Sequence, residues 1–268
     1  RWVKYAKAPR MPARAEFDVT MYTGYVPPPY PSLPPSPGNL ATAFKARPGA
    51  QPLFQETMEG FELGYRTQLT QQFGVDATVY RYRYSDIVSS TLGSAALTML
   101  YGMPVVIQNL DRCNCGNGWL SGAELNVDWM LSPSWRMQLS YAYTHVAMDD
   151  STNPVTQAHG LELERGTARH YGSLRSQWNV SSSQQFDAWI RGSSGVDRTL
   201  TPYTTTIRVP GYVTLDLRYA FKLNRDVEFA LSGRNLVGPK RIEYVTDYVP
   251  ATPVIIEPSL LLSARWKF

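Results

Sequence analysis

The sequence has no run of 18 or more apolar residues, so no helical membrane span is expected. Its first residues, Arg1-Trp2-Val3-Lys4, lack the charged, apolar and small-residue zones of a signal peptide. That leaves either a processed N-terminus or a start inside a longer protein, and the strand pattern below favours the second. Cysteine is scarce: only Cys113 and Cys115 occur, separated by Asn114, so a bridge between them closes a very small ring. A secreted compartment allows that bridge, and two free thiols are the alternative. With no second pair and no nearby His, no metal site is expected. His145, His159 and His170 lack a Ser or Cys partner at catalytic spacing and read as loop-surface residues, so neither an enzyme nor a bound cofactor is expected. The net charge is +4, yet Lys and Arg are scattered and form no dense block, which argues against nucleic acid as a partner.

What the sequence does have is aromatic residues and alternation. The 17 Tyr and 7 Trp suit strands and the aromatic girdles of a membrane barrel. Near the end, Leu260, Leu262, Ala264, Trp266 and Phe268 fall on one face of a strand, with Ser259, Leu261, Ser263, Arg265 and Lys267 on the other. Val213, Leu215, Leu217, Tyr219 and Phe221 repeat the pattern against a face that carries Asp216 and Arg218. Ala123 to Leu131 and Trp135 to Tyr143 form a predicted hairpin around Ser132-Pro133-Ser134, with Trp129 and Trp135 flanking the turn on the apolar face. Phe61 to Leu69, Phe73 to Val88, Tyr171 to Val180, Gln185 to Gly192 and Val227 to Asn235 complete a set of about ten strands, together with an opening strand over Trp2 to Ala8. Between Val75 and Tyr84 the apolar face runs into Arg81 and Arg83, so either a bulge flips the register or these arginines lie above a bilayer.

Connector length separates a barrel from a soluble sandwich. Thr70-Gln71-Gln72, Ser132-Pro133-Ser134, Ser181-Ser182-Ser183 and Leu223-Asn224-Arg225 are short, whereas the connectors near 11–56, 90–118, 147–168, 193–210 and 237–256 are long. Transmembrane barrels have this asymmetry, with short periplasmic turns and long extracellular loops. Counting back from Phe268 as the periplasmic end puts every long connector outside. The inward set is Glu62, Arg66, Glu124, Asp128, Arg175, Asp187, Arg191, Asp216, Arg218, Glu228 and Arg234, which calls for a wide lumen holding water or a polar plug.

Several motifs then resemble one family. Lys7-Ala8-Pro9-Arg10-Met11-Pro12-Ala13-Arg14 is similar to the strand-end sequence R-A-V-R-T-P-S-R of the TonB-dependent outer-membrane receptors. Glu56-Thr57 with Phe61-Glu62-Leu63-Gly64-Tyr65-Arg66 resembles their P-E-T and Y-E-L-G-Y-R, and Tyr80 to Ile87 their F-Y-x-x-Y-x-D-I. Gly122-Ala123-Glu124-Leu125 resembles G-V-E-L, and Gly233-Arg234-Asn235-Leu236 with Glu243 resembles the G-x-N-L segment before the last strand, with Gly238 in place of the usual Asp.

The resemblance implies an all-β fold, the C-terminal ten or so strands of a 22-stranded antiparallel transmembrane barrel over residues 1–268, with the plug and the TonB-contacting segment absent from this chain. It implies uptake of a scarce solute, most often a ferric siderophore, driven through the TonB–ExbB–ExbD system. Outer-membrane lipid and the assembly machinery, which reads Trp266 and Phe268, are the other implied partners. A passive porin, receptors for cobalamin or haem, a lipase-type barrel and a soluble sandwich are the alternatives. Ligand contacts are expected from aromatic and cationic loop residues: Tyr22, Tyr25, Tyr30, Arg112, Tyr203 and Arg208. The proline-rich stretch 27–37 reads as an extended part of an extracellular loop.

Overall fold

A strand whose side chains alternate in polarity pairs through both backbone edges while offering each face to a different medium. The computed structural model describes residues 1–17, 19–26, 40–100, 103–199, 206–245 and 253–268. The chain opens with β1 (Trp2–Arg10), a short helix α1 (Arg14–Phe17), β2 (Thr20–Val26) and β3 (Leu40–Pro48). Next come β4 (Glu56–Thr70), β5 (Phe73–Leu100), β6 (Met103–Ser132) and β7 (Trp135–Met148). Helix α2 (Pro154–Arg165) leads into β8 (His170–Asn179), β9 (Gln184–Ser193), β10 (Val196–Thr199) and β11 (Thr206–Val209). The last elements are β12 (Tyr212–Lys222), β13 (Val227–Arg234), the two-residue β14 (Arg241–Ile242) and β15 (Ile255–Ile256), and β16 (Ser259–Trp266).

Ten of these strands form one antiparallel wall in the order β1-β4-β5-β6-β7-β8-β9-β12-β13-β16, with β1 and β16 as open edges. Nearest neighbours in sequence are nearest neighbours in space, as in a meander. Most wall strands are eight to fifteen residues long, close to the roughly 9–11 residues a tilted strand needs to cross a bilayer.

All four short connectors close by one device. Thr70, Ser132, Ser181 and Asn224 each use a side-chain oxygen to accept a backbone N–H two residues on, from Gln72 (3.2 Å), Ser134 (3.3 Å), Ser183 (3.2 Å) and Asp226 (2.9 Å). These local bonds supply the reversal without a long loop, and they explain why Ser, Thr and Asn cluster there.

The long connectors are more ordered than the sequence suggested. The expected loop near 90–118 is instead the continuation of β5 and β6, whose 28 and 30 residues run far past the wall as one ladder. The connector near 11–56 carries α1 and the β2–β3 pair, and β3 lies parallel on β6 from Ala41↔Val105 to Pro48↔Arg112. That parallel contact departs from the all-antiparallel expectation; β3 reaches β6 sideways, after the chain has left the wall. The connector near 147–168 holds α2, capped at Asn153, whose Oδ1 accepts from Val155 N at 3.0 Å. The remaining two hold the β10–β11 and β14–β15 pairs. Several of the buried residues sit in this outer layer, among them Ala43, Ala46, Val88, Ser89, Ser90 and Val105. The wall has no comparable core: Phe61, Leu63, Val79, Leu231 and Leu262 lie open on one face.

The register question at Arg81 has a definite answer. Pairing of β4 with β5 is unbroken from Thr57↔Ser85 to Gln68↔Gly74, and the first shift comes at Asp86, whose φ is +61°. No bulge flips Arg81 or Arg83, which therefore share the apolar face with Val75, Ala77 and Val79.

Candidate functional site

Antiparallel partners lie on the same face, so the registers map one surface across the whole wall. All eleven residues expected to face inward fall on it. Glu62 opposes Tyr80 and Lys4; Arg66 opposes Asp76; Glu124 opposes Thr78 and Ala142. Asp128 opposes Gln138, which opposes Arg175; Arg175 opposes Trp189, and Trp189 opposes Asp216. Asp187 opposes Arg218, Arg191 opposes Thr214, and Arg234 opposes Ser259, while Glu228 opposes Arg265.

Most of these charges are tied across strands. Glu62 binds Lys4 Nζ at 3.0 Å and accepts from the Tyr82 hydroxyl. Arg66 Nε donates to Asp76 at 2.7 Å, and Arg136 Nε donates to Asp128 at 2.8 Å. Arg191 meets Asp216 at 2.6 Å, and Arg218 spans Glu228 at 3.2 Å and Asp187 at 3.6 Å. In water such pairs contribute about 0.2–1 kcal/mol each, so the set sets the chemistry of the face more than its stability. Glu124, Arg175 and Arg234 are exposed and have no side-chain partner among the described residues. The face is thus a surface of paired charges with free ones left over.

Sequence reading missed its aromatic content. Trp189, with Arg191 stacked 4.7 Å from its ring, and the stacked pair Tyr80 and Tyr82 (5.5 Å) share the charged face. Parity alone places them there: Trp189 lies two residues from both Asp187 and Arg191.

The opposite face has two aromatic levels. Near the short turns lie Phe73 against Trp129 (5.9 Å) and Trp135 against Trp178 (5.9 Å). Higher up lie Tyr5 against Phe61 (5.1 Å) and Tyr143 against His170 (5.3 Å). An apolar band between two aromatic levels is the pattern that the exteriors of membrane barrels carry.

Glu56 and Arg10, from two of the quoted motifs, form a knot at the upper rim. Arg10 reaches Glu16 (2.7 Å) and Glu56 (2.8 Å), and Glu56 also accepts from Val88 N at 2.8 Å, so one buried carboxylate joins β1, β4 and β5. Asn235 of the Gly-Arg-Asn-Leu motif takes φ +53°, a left-handed position that Asn tolerates, and donates its N–H to Asp216 at 2.8 Å.

In the layer above, Arg47 Nη2 meets Asp111 at 3.2 Å, and this guanidinium holds the Asp111 carboxyl below the usual carboxylate range. Cys113 and Cys115 are bridged, and they lie on β6 and not in a loop. Cys115 Sγ touches Thr156 Oγ1 of α2 at 3.2 Å.

The predicted ligand contacts are dispersed. Tyr22 and Tyr25 lie on β2; Tyr30, Tyr203 and the proline-rich 27–37 lie outside the described residues. Arg112 is on β6 and not in a loop, and it donates to Ser90 Oγ at 3.0 Å. Arg208 on β11 is paired with Asp197 at 2.7 Å. The histidines also depart from the loop-surface expectation: His145 is on β7, His170 begins β8 beside the Tyr141 hydroxyl (2.8 Å), and His159 is on α2.

A family model described as the β-barrel of TonB-dependent receptor-like proteins matches residues 2–236. The chain belongs to the TonB-dependent receptor family. No curated protein sequence matches it significantly. Among solved structures it is similar to the ferric-catecholate import receptor Fiu of E. coli K12, at 16% identity and a TM-score of 0.60, over 81% of this chain and 28% of that one. The ferripyoverdine receptor of the Pseudomonas aeruginosa outer membrane is similar at 11% identity and a TM-score of 0.59, again over 81% and 28%. The siderophore receptor PiuA of Acinetobacter baumannii is similar at 16% identity and a TM-score of 0.59, over 82% and 30%. The chain spans less than a third of the length of these receptors. Its ten strands are a portion of a TonB-dependent receptor barrel, and the family is one of receptors and transporters, not enzymes.

Proposed function

We propose that this chain forms part of the wall of an outer-membrane receptor that imports a ferric siderophore by TonB-dependent active transport. The observation that carries the reading is the unbroken charged face across ten strands, topped by an ordered outer layer. On this reading the charged face lines the lumen, and Glu124, Arg175 and Arg234 meet a plug supplied by the rest of the receptor. The plug also gives the TonB–ExbB–ExbD system its point of attachment. The open edges of β1 and β16 pair with the remaining barrel strands, because an unpaired edge in lipid leaves backbone groups unsatisfied. The fragment alone then carries no transport.

Ligand capture falls to Tyr22, Tyr25, Arg112 and Arg208 of the outer layer, together with Tyr30 and Tyr203 outside the described residues, which supply aromatic faces and cationic donors for an anionic iron complex. Arg112 and Arg208 must trade their bonds to Ser90 and Asp197 for the ligand. Growth of a receptor-deleted strain on a panel of ferric siderophores, cobalamin and haem, with and without TonB, tests the proposal. Rescue by a siderophore only when TonB is present supports it. Rescue by cobalamin or haem instead replaces the ligand class, and TonB-independent uptake of small solutes would make the protein a passive porin.

A further inference from the structure

Two cross-strand rows interrupt the apolar exterior at its upper level. One runs Tyr5, Phe61, Arg81, Ser121 and His145; the next runs Lys7, Glu59, Arg83, Trp119 and Ala147, each residue the register partner of its neighbours. In the second row the charges are already matched. Arg83 grips Asp149 at 2.6 and 3.0 Å, and Lys7 faces Glu59 at 3.6 Å. In the first row they are not. Arg81 is exposed and has no carboxylate partner among the described residues; its guanidinium lies 4.4 Å over the Trp119 ring. Ser121 makes no side-chain hydrogen bond among those residues, and the buried Nδ1 of His145 has no partner among them either.

Arg81 is eight residues along β5 from Phe73 of the lower aromatic level. At roughly 3.3 Å per residue and a tilt near 40°, this puts it about 20 Å higher, near the outer limit of an apolar band about 25 Å tall. A guanidinium there is costly against acyl chains and favourable against an anion. Arg81, Ser121 and His145 sit on three adjacent strands about 4.8 Å apart, a spacing that lets a fork of N–H donors, a hydroxyl and an imidazole converge on one tetrahedral anion.

We propose that Arg81, Ser121 and His145 bind a phosphate group of an outer-leaflet glycolipid, with Trp119 holding the guanidinium in place. This rests on the membrane reading given above. The test uses the full-length receptor, stripped of lipid in mild detergent and offered bis-phosphorylated lipid A, the same glycolipid without phosphates, or inorganic phosphate. Native mass spectrometry reads what stays bound. The phosphorylated lipid is retained by the native receptor, Arg81→Gln lowers its affinity about fivefold, His145→Gln lowers it further, and Lys4→Gln, an equal charge loss on the lumen face, leaves it unchanged. Equal retention by Arg81→Gln, equal retention of the dephosphorylated lipid, or inorganic phosphate held as tightly as the lipid would each overturn the site. A nitroxide on Val79→Cys in bilayers separates the two layers of the argument. If it is not accessible to lipid-dissolved oxygen, the membrane reading itself fails; if it is accessible while Arg81→Gln retains the lipid, only the phosphate site fails.

Discussion

Asp216 is the best single probe of how the charged face of the wall holds its upper rim. Its carboxylate accepts Arg191 of β9 at 2.6 Å with one oxygen and the Asn235 N–H at 2.8 Å with the other. One side chain thus joins two wall strands and fixes the left-handed residue that turns the chain out of β13. Each hydrogen bond to a charged group is worth about 1.5–3 kcal/mol. Solvent reaches both partners, with side-chain exposures of 17% for Asp216 and 25% for Arg191, so the lower end applies. Asp216→Ala then removes about 3 kcal/mol of local stability, and Asp216→Asn, which keeps a neutral acceptor, about half of that. Local opening is the right readout, because the global stability of a large barrel would hide the change. Leu236 donates its N–H to Leu215 O at 2.9 Å just beyond the turn and serves as the reporter. Hydrogen exchange in a peptide over 233–238 of the full-length receptor should accelerate about 150-fold in Asp216→Ala and about tenfold in Asp216→Asn, while the turn at 180–184 stays unchanged. Exchange no faster than native in Asp216→Ala, or equal in the two variants, refutes the account.

A Cβ at Gly122 would run into the Tyr143 carbonyl and the Tyr80 ring, whereas one at Gly172 meets nothing closer than 3.6 Å. Gly122→Val should therefore cost about 1–3 kcal/mol and lower the folded fraction seen by gel mobility, with Gly172→Ala near neutral. Because Arg47 holds Asp111 below its ordinary range, the docking of β3 on β6 is fully supported above the unfolded carboxyl value of about 3.9 and is lost as pH falls through the lowered one. A spin label on Ala50→Cys should stay immobile from neutral pH to about 4.5 and loosen well below that, whereas in Asp111→Asn it should be loose throughout; an Asp111→Asn label that stays immobile removes the ion pair from the explanation. Deleting Phe268 from the full receptor should reduce surface levels far more than ligand affinity per inserted molecule, and normal surface levels would argue against its role as an assembly signal.

The wall was legible because two media act on it with a period of two residues. Every charge assigned inward from alternation, from Glu62 to Arg234, lies on one face, since a one-residue error in any strand would have moved its charges to the opposite face. The four short turns were legible for a different reason: Thr70, Ser132, Ser181 and Asn224 carry their own acceptors. The outer layer was not legible. Nothing local distinguishes β5 beyond Ser90 from a loop, because its order comes from long-range pairing with β6 and from β3 packing on its far side. Arg112 was misplaced in a loop for that reason. Trp189 and Tyr82 were passed over although their parity puts them on the charged face.

The parallel seating of β3 on β6 also fixes an order of events. Arg47 and Asp111 are joined across 64 positions, and β4, β5 and β6 all lie between the two or carry the second of them. The platform that β3 needs does not exist until β6 has been threaded beside β5. The β2–β3 pair can therefore seat only where β6 is already in place, although it precedes β6 in the chain. The layer above the wall is in this sense set by the wall beneath it, and a displaced β6 would leave β3 without an edge to pair with.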